Sequence, residues 1–157
     1  MPYQILLASG SNQLTDKITN ILSLAEDEFH VDFIDDQEKI ITQISQTNPE
    51  IILFDSKFLD GASADLISII KNDPKTIDIP IIAIADFCHP EKIQSLFHAG
   101  ADDFIGQPIS DSELIQRIMV GIQRGRLLSK LKTQSTHFDS ITSAISLAGN
   151  SVVIISE

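Results

Sequence analysis

Pro49-Glu50-Ile51-Ile52-Leu53-Phe54-Asp55 decides the fold. Four apolar residues in succession, with no polar alternation, describe a strand buried on both faces, as in the middle of a parallel sheet. The run ends abruptly on a carboxylate. In open α/β sheets ligands sit outside the carboxyl ends of the strands, which puts Asp55 at the rim where chemistry happens. A plainer reading competes with that one: Asp55 opens a loop or caps the next helix.

Upstream, Tyr3-Gln4-Ile5-Leu6-Leu7-Ala8 reads as a buried first strand, and Ser9-Gly10-Ser11-Asn12 turns the chain, with Ser11 or Asn12 as helix N-cap. Leu14, Ile18, Ile21 and Leu22 recur at helical spacing. Phe29, Val31 and Phe33 alternate with His30 and Asp32, the pattern of a half-exposed edge strand. His30 stands alone there, without the clustered ligands a metal needs. A short helix follows Asp35-Asp36 with Ile40, Ile41 and Ile44 inward, and Asn48-Pro49 ends it, because the residue before proline avoids the α region.

Downstream, a loop through Asp60-Gly61 leads to a helix carrying Leu66, Ile67 and Ile70 that stops near Asn72-Asp73-Pro74. Ile79-Pro80-Ile81-Ile82-Ala83-Ile84-Ala85 is a second fully buried strand, with Pro80 tolerated near its start. Pro90 suits the first turn of a helix whose inward face is Ile93, Leu96 and Phe97, and Gly100 ends it as a C′ glycine. Asp103-Phe104-Ile105 is a short last strand. Ser110-Asp111-Ser112-Glu113 has the spacing of a capping box, opening a long helix through Leu114, Ile118 and Ile122. Strands and helices alternating five times make an α/β, doubly wound parallel sheet with right-handed crossovers.

The chain of 157 residues suits one domain and an appendage. Residues 1–120 carry 7 basic and 20 acidic side chains, and residues 121–157 carry 4 and 2, so a net −13 gives way to +2. The acidic body is repelled by phosphate backbones, which argues against direct nucleic-acid binding, and the charge break near residue 120 suggests a boundary. No apolar run is long enough for a membrane span or a secretory leader. The single cysteine, Cys88, leaves neither an internal disulfide nor a cysteine-built zinc site, so a cytoplasmic location is expected.

Four stretches together resemble the receiver domain of bacterial two-component response regulators over about residues 3–122: Pro49–Asp55, Ile79–Ile84, Ala99-Gly100-Ala101-Asp102-Asp103-Phe104-Ile105, and Gln107-Pro108. The resemblance implies a flavodoxin-like (βα)5 fold with strand order 2-1-3-4-5, and it matches Asp55 to the aspartate that accepts a phosphoryl group. In that family two acids after the first strand hold Mg²⁺ with the acceptor. A hydroxyl after strand four and a lysine before the proline after strand five bind the phosphoryl oxygens. Here those positions are Ser9 and Gly10, Ala85, and Gln107, so only the acceptor is kept. Mg²⁺ wants hard oxygen ligands, usually including one or two carboxylates, and phosphoryl transfer rests on positioning and charge neutralisation. No cofactor is therefore expected, with weak Mg²⁺ binding the exception. Asp35 and Asp36 lie two strands away, roughly 10 Å at about 4.8 Å per strand, leaving Asp86 as the nearer candidate to join Asp55 on a metal. Phe104 matches the family's switch aromatic, but Ala85 cannot hydrogen-bond a phosphate, so the relay lacks its sensor; a core ring is the alternative for Phe104. The family also suggests a cis peptide at Gln107-Pro108.

Beyond residue 122, Leu127, Leu128 and Leu131 continue the last helix past a polar turn at 123–126. Gly121 and Gly125 each cost about 1 kcal/mol against alanine in a helix, and either admit a partner helix or mark a hinge. No heptad register survives three repeats. After a polar break at 134–136, Phe138, Ile141 and Ile145 suggest a second short helix, and Val152–Ile155 is strand-like, which resembles the opening of a PAS sensory domain. Expected boundaries are thus 1–122 for the receiver-like domain, 123–136 for a helical linker and 137–157 for the tail; a tail that folds back or pairs with another copy is the alternative.

The expectation is a degenerate, non-enzymatic receiver. It would work through protein–protein contact or homodimerisation, using the last strand with its helices or the extended helix, and would meet an output domain or a histidine kinase. Two alternatives stand beside it: a phosphorelay receiver that uses Asp55, and a flavodoxin-like small-molecule binder. The last has no Gly-rich phosphate loop at Ser9-Gly10-Ser11, and the neighbours Cys88-His89 make no catalytic constellation.

Overall fold

Ile51, Ile52, Leu53 and Phe54 are all fully buried, because their strand has a neighbour on each edge and helices on each face. The computed structural model describes residues 2–25, 28–58, 63–86 and 90–148, of which Ser63, Asp86 and residues 134–148 are described by backbone alone. The elements run β1 (Tyr3–Ala8), α1 (Asn12–Ser23), β2 (Phe29–Ile34), a 3-10 turn (Gln37–Lys39) into α2 (Ile40–Thr47), β3 (Ile51–Asp55), α3 (Ser63–Asn72), β4 (Ile81–Asp86), α4 (Pro90–Ala99), β5 (Asp103–Gln107) and α5 (Asp111–Ala148). All pairings are parallel and the order is β2-β1-β3-β4-β5, the flavodoxin-like arrangement expected.

Side-chain alternation along the strands divides the core in two. Ile5, Leu7, Ile51, Leu53, Ile82, Ile84 and Ile105 meet Leu14, Ile18, Ile21 and Leu22 of α1 and Leu114, Ile118 and Ile122 of α5. Leu6, Ala8, Ile52, Phe54, Ile81 and Ala83 meet α2, α3 and α4 through Ile40, Ile44, Leu66, Ile67, Ile70 and Leu96. Asp55 shares the parity of Ile51 and Leu53, which aims it toward the α1 and α5 side at the rim.

Helix ends follow local chemistry. Ser11 caps α1, its Oγ accepting from Leu14 N at 3.2 Å. Asn48 ends α2 in the left-handed region at φ 47°, and Gly100 follows α4 at φ 120°. The Gln107-Pro108 peptide is cis. The capping box at 110–113 does not close: Ser110 Oγ lies 3.4 Å from Ser112 Oγ, and the Glu113 carboxylate accepts from Arg117 Nε at 3.0 Å instead. Arg117 also donates to both oxygens of Asp103 at 2.8 and 2.9 Å. Its hydrogen bonds to Asp103 and then Glu113 push the guanidinium pKa further up.

Some helix faces differ from those expected. Ile41 and Phe97 are exposed and Ile93 is half-buried, while Ile40, Ile44 and Leu96 carry the contacts. Successive helical residues turn by about 100°, so a short helix on a sheet can bury a narrower stripe than its sequence offers. On β2, Phe29 and Val31 pack against the core, but Phe33 at the far end is exposed.

α5 runs unbroken through 123–126 and 134–136, where a polar turn and a break were expected. Gly121 and Gly125 serve packing within the domain. A Cβ on Gly121 would lie 2.8 Å from Ile51 Cδ1, and one on Gly125 would lie 2.9 Å from Pro80 Cδ and 3.2 Å from the Asp78 carbonyl oxygen. They let α5 settle onto the amino ends of β3 and β4, in place of the partner helix or hinge expected. The chain divides into two compact units, Met1–Gly125 and Arg126–Glu157. The strand-like run 152–155 lies outside the described residues.

Candidate functional site: the Asp55 pocket

Asp55 is the last residue of β3 and is 4% exposed. A buried carboxylate must be satisfied, and backbone and hydroxyl donors do this here. Ser9 Oγ donates to Asp55 Oδ2 at 2.8 Å, and Lys57 N donates to Oδ1 at 3.0 Å. Ser9 Oγ in turn accepts from Ser11 N at 3.0 Å, so a relay of three residues ties the α1 N-cap to the carboxylate. Ser9 is itself buried, and its N–H is held by Ile34 O at 3.0 Å. The rim loops after β1 and β3 are therefore joined through one acid.

A cavity of about 430 Å³ opens beside this carboxylate, lined by Gln13, Lys17, Lys57 and Gln107 among others. Gln13 and Lys17 are four residues apart on α1 and so share a face. The family's lysine position is Gln107 here, yet two lysines line the cavity from elsewhere in the chain. Lys57 is two residues past Asp55. Lys17 was legible only as the residue one turn beyond Gln13 on a helix already known to start at this rim.

The other expected positions fall as follows. Gly10 is at the rim, where a Cβ would meet nothing nearer than Phe58 Cδ2 at 4.0 Å. Ala85 is buried on β4 opposite Gly106. Gln107 ends β5 and reaches the cavity. Phe104, matched to the family's switch aromatic with a core ring as the alternative, is half-buried on β5. Asp86 ends β4 opposite Gln107, but its side chain lies outside the described ones, as do Cys88 and His89 altogether. Asp36 turns to cap the 3-10 turn, accepting from Glu38 N at 3.0 Å, and Asp35 is exposed.

The described donors alone do not fit a divalent cation. Mg²⁺ needs several hard oxygens in octahedral geometry. Among the described residues Asp55 is the sole carboxylate lining the cavity, both its oxygens already accept hydrogen bonds, and two lysines line the same space. No group of three or more His, Cys, Asp or Glu able to hold a metal occurs among the described residues.

Residues 5–119 match the family model of the response regulator receiver domain, and the chain belongs to that family. It is thus a receiver domain of two-component signal transduction, a class of generally non-catalytic modules that interact with histidine kinases and output domains. Among curated relatives it is similar to the phosphate regulon transcriptional regulatory protein PhoB of Klebsiella pneumoniae, 29% identical over 90 residues, covering 57% of this chain and 39% of that protein. PhoB of Pseudomonas aeruginosa is 37% identical over 82 residues, 52% of this chain and 35% of that one. The chain spans well under two thirds of these relatives. Among solved structures, NtrX from Brucella abortus shares the fold with a TM-score of 0.73 at 20% identity, covering 85% of this chain and 30% of that one. The chemotaxis response regulator CheY4 of Vibrio cholerae does so with a TM-score of 0.66 at 15% identity, covering 76% and 98%. No helix among the described residues is long and apolar enough to cross a membrane.

Proposed function

We propose that this receiver domain is degenerate: it transmits by packing and self-association and does not depend on a phosphoryl group at Asp55. The observation that carries this reading is the 2.8 Å bond from Ser9 Oγ to Asp55 Oδ2. In the resembling family the position of Ser9 holds an acid that binds Mg²⁺; here a neutral hydroxyl takes up the acceptor oxygen directly. Ala85 and Gln107 stand where a hydroxyl and a lysine would hold the phosphoryl oxygens. Residues 1–122 form the regulatory body and 123–136 the helical connection, which α5 carries on to Ala148. Residues 137–157 are a tail that leads toward an output domain, with the start of a PAS domain as the candidate. The module works in the cytoplasm against a homodimer partner, an output domain or a histidine kinase, without a resident cofactor.

A second reading has one observation in its favour. Lys17 and Lys57 line the cavity beside Asp55 and bring positive charge from positions other than the one matched to the family's lysine. On that reading Asp55 accepts a phosphoryl group with lysines in place of the missing kit. Incubation with a small-molecule phosphodonor and Mg²⁺, followed by intact-mass measurement, separates the two. Unchanged mass supports the degenerate module. Gain of one phosphoryl group, abolished by Asp55→Asn, establishes the acceptor.

A further inference from the structure

The two halves of α5 carry different periods. Up to Gly125 the contacts repeat every four residues, through Leu114, Ile118 and Ile122 and through Gly121 and Gly125, as suits a helix laid on a sheet. Past Gly125 the spacing changes. Leu127, Leu131, Gln134, Phe138, Ile141, Ile145 and Ala148 are separated alternately by four and three residues over an unbroken helix. No register was expected to survive three repeats, but the helix continues through the expected polar break at 134–136, and with Gln134 admitted as a single polar position the series spans three heptads.

A period of 3.5 has a physical consequence. A straight α-helix drifts by about 20° per heptad against such a repeat, and the series stays on one seam only when the helix supercoils around another of the same period. Residues 127–148 cover about 33 Å at 1.5 Å per residue, enough for such a seam. Leu127 and Leu131 are 58% and 52% exposed, and Leu128, which flanks them, is also exposed.

The sequence also limits what can occupy the seam. Helices α1 to α4 are 8 to 12 residues long, too short for three heptads. A second copy of the chain supplies the same period in full. In a parallel pair the flanking positions bring Lys130 toward Ser135 and His137 toward Thr142, so no like charges meet. Gln134 falls opposite its own counterpart only when the two chains are parallel and in register, so its amide finds a polar partner in that arrangement alone.

We propose that two copies of this chain associate through residues 127–148 as a parallel, in-register coiled coil. This deepens the self-association reading above by assigning its surface, orientation and register. The test uses the full chain with Cys88→Ser and Leu127→Cys. A parallel pair brings the two new cysteines within the roughly 4.4–6.8 Å Cα separation that a disulfide spans, so mild oxidation gives a covalent dimer. Analytical ultracentrifugation of the unaltered chain shows a dimer whose dissociation constant rises at least about tenfold in Leu131→Asp. An unchanged urea midpoint for the body shows that the domain stays folded. A monomer at about 100 μM, at the low end of ordinary association strength, would overturn the inference. So would a dimer indifferent to Leu131→Asp, or cysteines at 127 that never join. None of these outcomes bears on phosphoryl acceptance at Asp55, which the mass measurement decides separately.

Discussion

At the amino end of β4, Lys71 Nζ lies 2.7 Å from Asp102 Oδ2 and donates to the carbonyls of Ile79 and Ile77 at 2.7 and 3.1 Å. Asp102 Oδ2 also accepts from Ile81 N at 2.8 Å, and α5 comes down so close that Gly125 has no room for a Cβ. At the carboxyl end of the same sheet, Asp55 keeps its hydrogen bonds but faces a cavity of about 430 Å³. One end is specified by contact and tolerates little. The other has room, and its chemistry can change while the frame stands. The same strands can therefore build a receiver fold with Ser9, Gly10, Ala85 and Gln107 at the positions that the resemblance matches to the family's metal- and phosphoryl-binding groups.

Lys71→Met should give the largest loss if that contrast holds. The side chain is 14% exposed, and its removal leaves Asp102 with only the Ile81 N–H and takes the ammonium donor from two carbonyl oxygens. A loss of about 2–3 kcal/mol is expected, read as a lower urea midpoint at unchanged slope. Gly125→Val comes next, at about 2 kcal/mol, because its Cβ would meet Pro80 and the rigid Asp78 carbonyl. Gly125→Ala should cost less, since about 1 kcal/mol of helix propensity offsets the overlap.

At the rim the effects should be smaller. Ser9→Ala removes the donor to Asp55 and the acceptor for Ser11 N, for about 1 kcal/mol. A rim substitution that unfolded the domain would erase the distinction between the two ends. Ser9→Asp with Gly10→Asp sharpens it from the other side. Two carboxylates join Asp55, Gly10 has open space for one of them, and isothermal titration should show Mg²⁺ binding tighter than that of the unaltered chain.

Most of the frame was legible in the sequence, because fully buried strands announce themselves as unbroken apolar runs and Pro49, Pro90 and Gly100 punctuate them. What the sequence hid was contact between distant elements. Gly121 and Gly125 look like weak points in a helix until Ile51 and Pro80 are brought against them. Phe97 completes an apolar stripe with Ile93 and Leu96 on paper, yet the sheet reaches only Leu96. Lys17 is an ordinary surface lysine by local pattern, and its place in the Asp55 cavity follows from the docking of α1 over the rim. The continuity of α5 was hidden by its polar residues at 134–136, which helical backbone accommodates without interruption.

On the reading proposed above, Asp55 is held by neutral donors in a site that no longer takes a phosphoryl group with Mg²⁺. Intact-mass measurement after exposure to a small phosphodonor and Mg²⁺ tests it most directly, with Asp55→Asn run alongside. An unchanged mass in both proteins is the predicted result. One added phosphoryl group on the unaltered chain, absent from the variant, would contradict the claim.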